Sequence, residues 1–75
     1  MKIIIIDSAN NRKTLNVDES IIASTLKDKI KKDCNINGEL ELVYNGIILE
    51  ENDDLFTLGV REGATINYTI QYKAG

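Results

Sequence analysis

The first apolar runs of the chain predict two strands. Residues 2–7 contain four consecutive isoleucines, and a run of β-branched residues is typical of a central strand with neighbours on both sides. Residues 14–17 alternate polar and apolar side chains, as a half-buried strand does. Because a turn at residues 9–11 separates the two runs, we expect the chain to begin with a β-hairpin.

A four-residue spacing of apolar positions predicts one helix after this hairpin. Its apolar stripe consists of Ile22, Leu26, Ile30 and Cys34. Ser20 is predicted to cap the helix, because a hydroxyl can accept a hydrogen bond from a free backbone N–H of the first turn. Residues 35–38, which include two asparagines and a glycine, are expected to end it.

The next segment predicts a second hairpin. Residues 40–44 alternate in polarity as a strand does, and residues 47–49 form a short apolar return strand. Asn45 and Gly46 separate the two runs. This dipeptide favours a tight turn, because both central residues of that turn need positive φ.

The rest of the chain predicts a loop, a turn and a final strand. The acidic residues 50–54 are interpreted as a solvated loop rather than a calcium site, because they lack the ligand spacing and central glycine of such sites. Residues 55–58 are predicted to form a short 3-10 turn that ends at Gly59. Residues 65–72 alternate in polarity and predict a strand with one apolar face.

The composition disfavours enzyme and metal chemistry. The chain has 75 residues, one cysteine and no histidine, so we expect a single domain, residues 1–75, without a disulfide. The lack of histidine removes the usual general base and metal ligand, and we expect no catalytic residue, metal or cofactor. Cys34 is interpreted as a small core residue, since it lies on the apolar stripe of the helix.

Charge and hydropathy narrow the choice of partner and compartment. The net charge of −3 disfavours nucleic acid as a partner, and the isoleucine run is far too short to span a bilayer. Because the chain begins with Met1, we expect no separate signal segment, and an unpaired cysteine fits a reducing compartment. We therefore expect a monomer in the cytoplasm, the nucleus or both, without membrane contact.

The order and spacing of these elements resemble the ubiquitin-like family over the full length of the chain. Matching positions are Met1, Ile3, Leu15, Val17, Lys27, Lys29, Ile30, Ile36, Leu42, Gly46, Leu49, Glu50, Leu55, Thr65 and Gly75. One single-residue deletion near residues 37–39 aligns the rest. The resemblance implies an α+β fold of the β-grasp type: ββαββ, a short 3-10 turn and a final strand. One helix would cover one face of a mixed sheet, with the first and last strands parallel at its centre.

The resemblance also implies a binding surface on the exposed face of the sheet. Val43 matches the centre of the apolar patch that adaptor domains bind in this family. Strand parity places Ile4 and Ile6 outward, and Ile47 is predicted to project near Val43. The predicted partner-binding residues are Ile4, Ile6, Val43, Ile47, Asn67, Thr69 and Gln71. The alternative interpretation is that these isoleucines only supply strand propensity or lie beneath neighbouring side chains.

Three functions fit this resemblance. The first is a domain that binds proteins non-covalently, such as ubiquitin-binding-type domains and proteasome or ligase components. The second is a protein modifier that an activating enzyme would conjugate through Gly75, although Ala74 and Gln71 depart from the tail that such enzymes bind. The third is a sulfur carrier, which the missing di-glycine disfavours. The alternative interpretation of Gly75 is a domain edge, beyond which a longer protein continues. Lys27 and Lys29 are interpreted as possible acceptors of a modifier.

Overall fold

The computed structural model describes residues 1–71 as a small α+β domain. Its elements are β1 (Lys2–Ile6), β2 (Arg12–Asn16), α1 (Ala23–Cys34), β3 (Glu39–Tyr44), β4 (Ile47–Ile48) and β5 (Thr65–Gln71). The strand order is β2-β1-β5-β3-β4. Among the strands of residues 1–71 only β1 and β5 pair in parallel, so the sheet is mixed. This arrangement of one helix and a mixed sheet is compatible with a β-grasp fold.

The isoleucine run lies at the centre of the sheet, as predicted. β1 pairs with β2 on one side and with β5 on the other. The parallel pair is extended at its start, where the Ile4 N–H donates to the Ala64 carbonyl at 2.8 Å and the Gly63 N–H donates to the Lys2 carbonyl at 2.8 Å. A strand with two partners satisfies its backbone on both sides, and β-branched residues pack well on the pleated surface of such a strand.

The apolar core lies between α1 and one face of the sheet. Ile3 and Ile5 are fully buried, whereas Ile4 between them is half-buried. Along α1 the buried positions are Ala23, Leu26 and Ile30. All fully buried apolar residues of the described chain belong to one cluster, so the sheet has one core-facing side. In the described residues no helix is both long and apolar enough to cross a membrane.

The start of α1 differs from the sequence prediction. Ile22, and not Ser20, is the residue that precedes the first helical position, and no side chain caps the helix. The Ser20 hydroxyl instead donates to the Asp18 carboxylate at 3.3 Å. The prediction that Ser20 caps the helix is therefore wrong.

The acidic loop at residues 50–54 supplies the cap. The Ala23 N–H donates to the Asp53 carbonyl at 2.9 Å, and the Ser24 N–H donates to the Glu51 carbonyl at 3.0 Å. These carbonyls satisfy two of the donors that a helix leaves free in its first turn. The acidic loop therefore caps the N-terminus of α1 through its backbone carbonyls.

The two predicted turns around β4 have different outcomes. Asn45 and Gly46 have φ values of 53° and 80°, which confirms the tight hairpin turn with two positive φ angles. Residues 55–59 form hydrogen-bonded turns, with the Gly59 N–H donating to the Phe56 carbonyl at 3.1 Å. No helix is assigned there, so the predicted 3-10 turn is not confirmed.

Candidate partner-binding face

The side of the sheet opposite α1 forms a continuous surface, which we call the open face. It consists of Lys2, Ile4, Ile6, Arg12, Thr14, Asn16, Glu39, Glu41, Val43, Ile48, Thr65, Asn67, Thr69 and Gln71. Residues directly opposite each other on paired strands project to the same side of a sheet, and residues two apart on a strand share a face. The register therefore assigns each of these residues to the open face.

One row of this face crosses four strands. Ile6 is paired with Asn67, Asn67 with Val43, and Val43 with Ile48. We call these four residues the central row. Three of the four side chains are aliphatic, and the row places them side by side although they come from distant parts of the chain.

The exposure of the row agrees with its orientation. Ile6 and Val43 are half-buried, Asn67 is exposed, and Ile48 is 58% exposed. In contrast, Ile5 next to Ile6 has no exposed surface. The isoleucines of β1 that were predicted to project outward, Ile4 and Ile6, are therefore partly exposed to solvent.

Thr69 and Gln71 extend the face along β5, and both are exposed. Thr69 lies opposite Glu41, and Gln71 lies opposite Glu39. The Gln71 side-chain amide donates to the Glu41 carboxylate at 3.0 Å, which links two neighbouring strands on this side.

The placement of Ile47 corrects the predicted surface. Ile47 is paired with Tyr44, whereas Ile48 is paired with Val43. Ile47 is 56% exposed, but it lies on the other side of the hairpin, because Tyr44 packs against the core. Ile48 thus takes the position that parity had given to Ile47. The sequence held this signal, since a two-residue turn at Asn45 and Gly46 pairs residue 44 with 47 and residue 43 with 48.

The two lysines named as possible acceptors of a modifier lie on α1, away from the open face. The Lys27 ammonium is 2.9 Å from the Glu51 carboxylate, and its side chain is only 18% exposed. This ion pair joins the first half of α1 to the acidic loop. Lys29 is half-buried. Modification of either lysine stays a prediction.

Cys34 lies at the end of α1 and is half-buried against the core. The Tyr68 hydroxyl donates to its sulfur at 4.0 Å, a weak hydrogen bond. Burial, with smaller contributions from Cys34 and from the charge of Asp7, raises the pKa of Tyr68 to about 12. Within residues 1–71 no three acidic or thiol side chains are grouped so that they could hold a metal ion.

Gly75, on which the modifier hypothesis depends, lies outside the described residues, as does Ala74. Conjugation therefore stays a prediction from the sequence. Comparison of the chain with protein-family models and with curated proteins gave no match in either case.

Proposed function

We propose that this chain is a ubiquitin-like β-grasp domain that binds partner proteins non-covalently through the open face. Its partners would be ubiquitin-binding-type domains or proteasome and ligase components, in a ubiquitin-related adaptor pathway. The observation that supports the proposal is the central row, in which Ile6, Val43 and Ile48 present aliphatic surface on the side of the sheet opposite α1. Exposed aliphatic clusters of this kind commonly mark interaction sites.

The strand order supports the ubiquitin-like assignment. A parallel pair of first and last strands at the centre of the sheet is what the sequence resemblance implies, and β1 and β5 are paired in this way. A fold by itself does not define a function, so the binding proposal depends on the open face and its chemistry.

The size of the row favours weak and reversible binding. Complete burial of two isoleucine side chains contributes about 3–6 kcal/mol before the cost of association. The two isoleucines of the row are Ile6 and Ile48, and Ile6 is already half-buried in the free domain, so the contribution is smaller than this value. We expect dissociation constants of about 10 μM or weaker, as in many transient signalling contacts.

Two neighbouring isoleucines provide a matched test. Ile47 and Ile48 are 56% and 58% exposed, yet the register places only Ile48 on the open face. Ile48→Asp should weaken binding to a ubiquitin-binding-type domain or a proteasome receptor subunit about tenfold, because it introduces a charge into the contact. Ile47→Asp should change binding less than about twofold, since it lies off the contact. Affinity is measured by calorimetry or by titration of backbone amide resonances.

A second variant tests the centre of the row. Val43→Asp combined with Ile6→Asp should abolish binding, and the circular dichroism spectrum shows whether the fold is retained. Equal affinities of the wild-type chain, Ile48→Asp and the double variant would contradict the proposal.

A further inference from the structure

The open face has an asymmetric charge distribution. Two carboxylates lie on β3: Glu41 is paired with Thr69 of β5, and Glu39 is paired with Gln71 of β5. Glu41 is two residues from Val43 on the same strand and shares its face, about 6.6 Å away along the strand. The carboxylates therefore lie next to the central row along β3, on the side of Val43 where this strand begins.

Positive charge lies on the opposite side of the same face. Arg12 on β2 is paired with Ile6, and Lys2 on β1 is paired with Asn16. Because the strand order is β2-β1-β5-β3-β4, the two strands β1 and β5 separate Arg12 from the two carboxylates. A partner on this face would meet a positive edge at β2 and a negative edge at β3.

The carboxylates on β3 have no cationic partner within the described part of the chain. Among residues 1–71 the one salt bridge joins Lys27 to Glu51, which lies away from this face. Glu41 accepts a hydrogen bond from the Gln71 amide at 3.0 Å, and a neutral amide orients a carboxylate without neutralising it. Glu39 is exposed.

We propose that the partner is a protein segment in which aliphatic side chains are flanked by lysine or arginine. This inference rests on the proposed function and adds the sign of the charge that the partner carries beside its aliphatic side chains. The aliphatic side chains would contact the central row, and the flanking cations would bind Glu41 and Glu39. Charge-assisted hydrogen bonds of this kind select one orientation and accelerate association.

Charge complementarity favours this partner over an anionic one. The chain has a net charge of −3, and two carboxylates share the strand of Val43, whereas one guanidinium, that of Arg12, borders Ile6 at the β2 end of the row. On balance a nucleic acid or an acidic segment would be repelled by this face. A second copy of the chain is the competing occupant, because its Arg12 would supply a cation for Glu41. The experiment therefore includes a measurement of oligomeric state.

The test is a selection of peptides by the immobilised chain, residues 1–75. A phage-displayed library of random 16-residue peptides is selected separately against the wild type, Val43→Asp, and Glu39→Lys combined with Glu41→Lys. Peptides enriched by the wild type should carry Lys or Arg beside aliphatic residues and should bind the lysine variant about tenfold more weakly. Peptides enriched by the lysine variant should instead carry Asp or Glu.

A milder variant controls for damage to β3. Glu39→Gln combined with Glu41→Gln removes both charges without introducing repulsion, and it should weaken the basic peptides about threefold at 50 mM salt and less at 500 mM. Circular dichroism verifies that each variant is folded.

The outcomes separate the two proposals. Peptides that require Val43 but bind the wild type and both charge variants equally would overturn the charge inference and leave the proposed function intact. Failure to enrich any peptide that requires Val43 would count against both. Sedimentation of the wild type as a dimer that Ile48→Asp dissociates would assign the open face to a second copy, and would also overturn the inference.

Discussion

Tyr68 connects β5 to the end of α1, and its environment has a consequence for stability at high pH. The side chain is only 7% exposed, and burial raises the pKa of its hydroxyl from the ordinary tyrosine value of 10.0 to about 12. The folded chain therefore holds this proton more tightly than the unfolded chain does. The corresponding stability is fully present below about pH 10 and is lost as the pH rises toward 12.

The Tyr68→Phe variant isolates this titration. Between pH 9 and pH 11.5 the free energy of unfolding of the wild type should fall by about 2 kcal/mol more than that of the variant. Urea unfolding at a series of pH values measures the difference. Tyr44→Phe is the control, since it retains Tyr68 and should lose stability like the wild type. Parallel curves for the wild type and Tyr68→Phe would contradict the assignment.

At the scale of elements, the start of α1 depends on a distant loop. Its first N–H groups are bonded to the carbonyls of Asp53 and Glu51, whereas Ser20 bonds Asp18. Ser20→Ala should therefore lower the free energy of unfolding by less than about 0.5 kcal/mol, although loss of a true helix cap costs about 1 kcal/mol or more. Chemical denaturation measures both this value and a reference variant.

The reference is Leu26→Ala, which truncates a fully buried side chain of α1. It should cost about 2–5 kcal/mol, because the cavity adds to the lost burial of apolar surface. A cost for Ser20→Ala near or above 1 kcal/mol would mean that the hydroxyl does cap the helix in solution.

The sequence predicts these elements where the signal is local. The isoleucine run, the spacing of Leu26 and Ile30 and the Asn45-Gly46 turn each indicate their structure through nearby residues, and each is found. The cap of α1 could not be predicted, because its acceptors are backbone carbonyls that any sequence would supply and that lie about thirty positions away. The position of Ile48 on the open face, in place of Ile47, could have been predicted, since the two-residue turn at Asn45 and Gly46 determines that register.

The part of the open face that depends on one strand could be predicted from the sequence, whereas the part that depends on pairing between distant strands could not. Parity along β1 correctly placed Ile4 and Ile6 on the outer side, because alternation is a property of one strand. The position of Glu41 beside the central row follows from the pairing of β3 with β5, whose residues are far apart in the chain. The charge pattern of the face therefore emerged only from the structure.

For the whole molecule, the apolar core lies on one side of the sheet only, so we expect the side chains of that side to contribute most of the sheet's share of stability. Ile5 and Ile6 are adjacent in β1 and chemically identical, but Ile5 has no exposed surface and lies in the core, while Ile6 lies half-buried on the open face. A substitution that keeps β-branching, adds a hydroxyl and shortens the side chain by one methyl group therefore separates the two faces. Threonine meets this requirement.

Ile5→Thr should lower the free energy of unfolding by about 2–4 kcal/mol, because it places a hydroxyl in an apolar environment and removes buried methyl and methylene contacts. Ile6→Thr should cost less than about 1 kcal/mol, since water can bond its hydroxyl. Urea denaturation of the two variants gives the comparison directly. Equal costs would mean that both faces of the sheet are covered in solution, and the open face would then be closed to a partner. If only Ile5→Thr has a large cost, the side chains of the open face contribute little to the stability of the fold. Substitutions on that face can then alter partner binding without unfolding the domain.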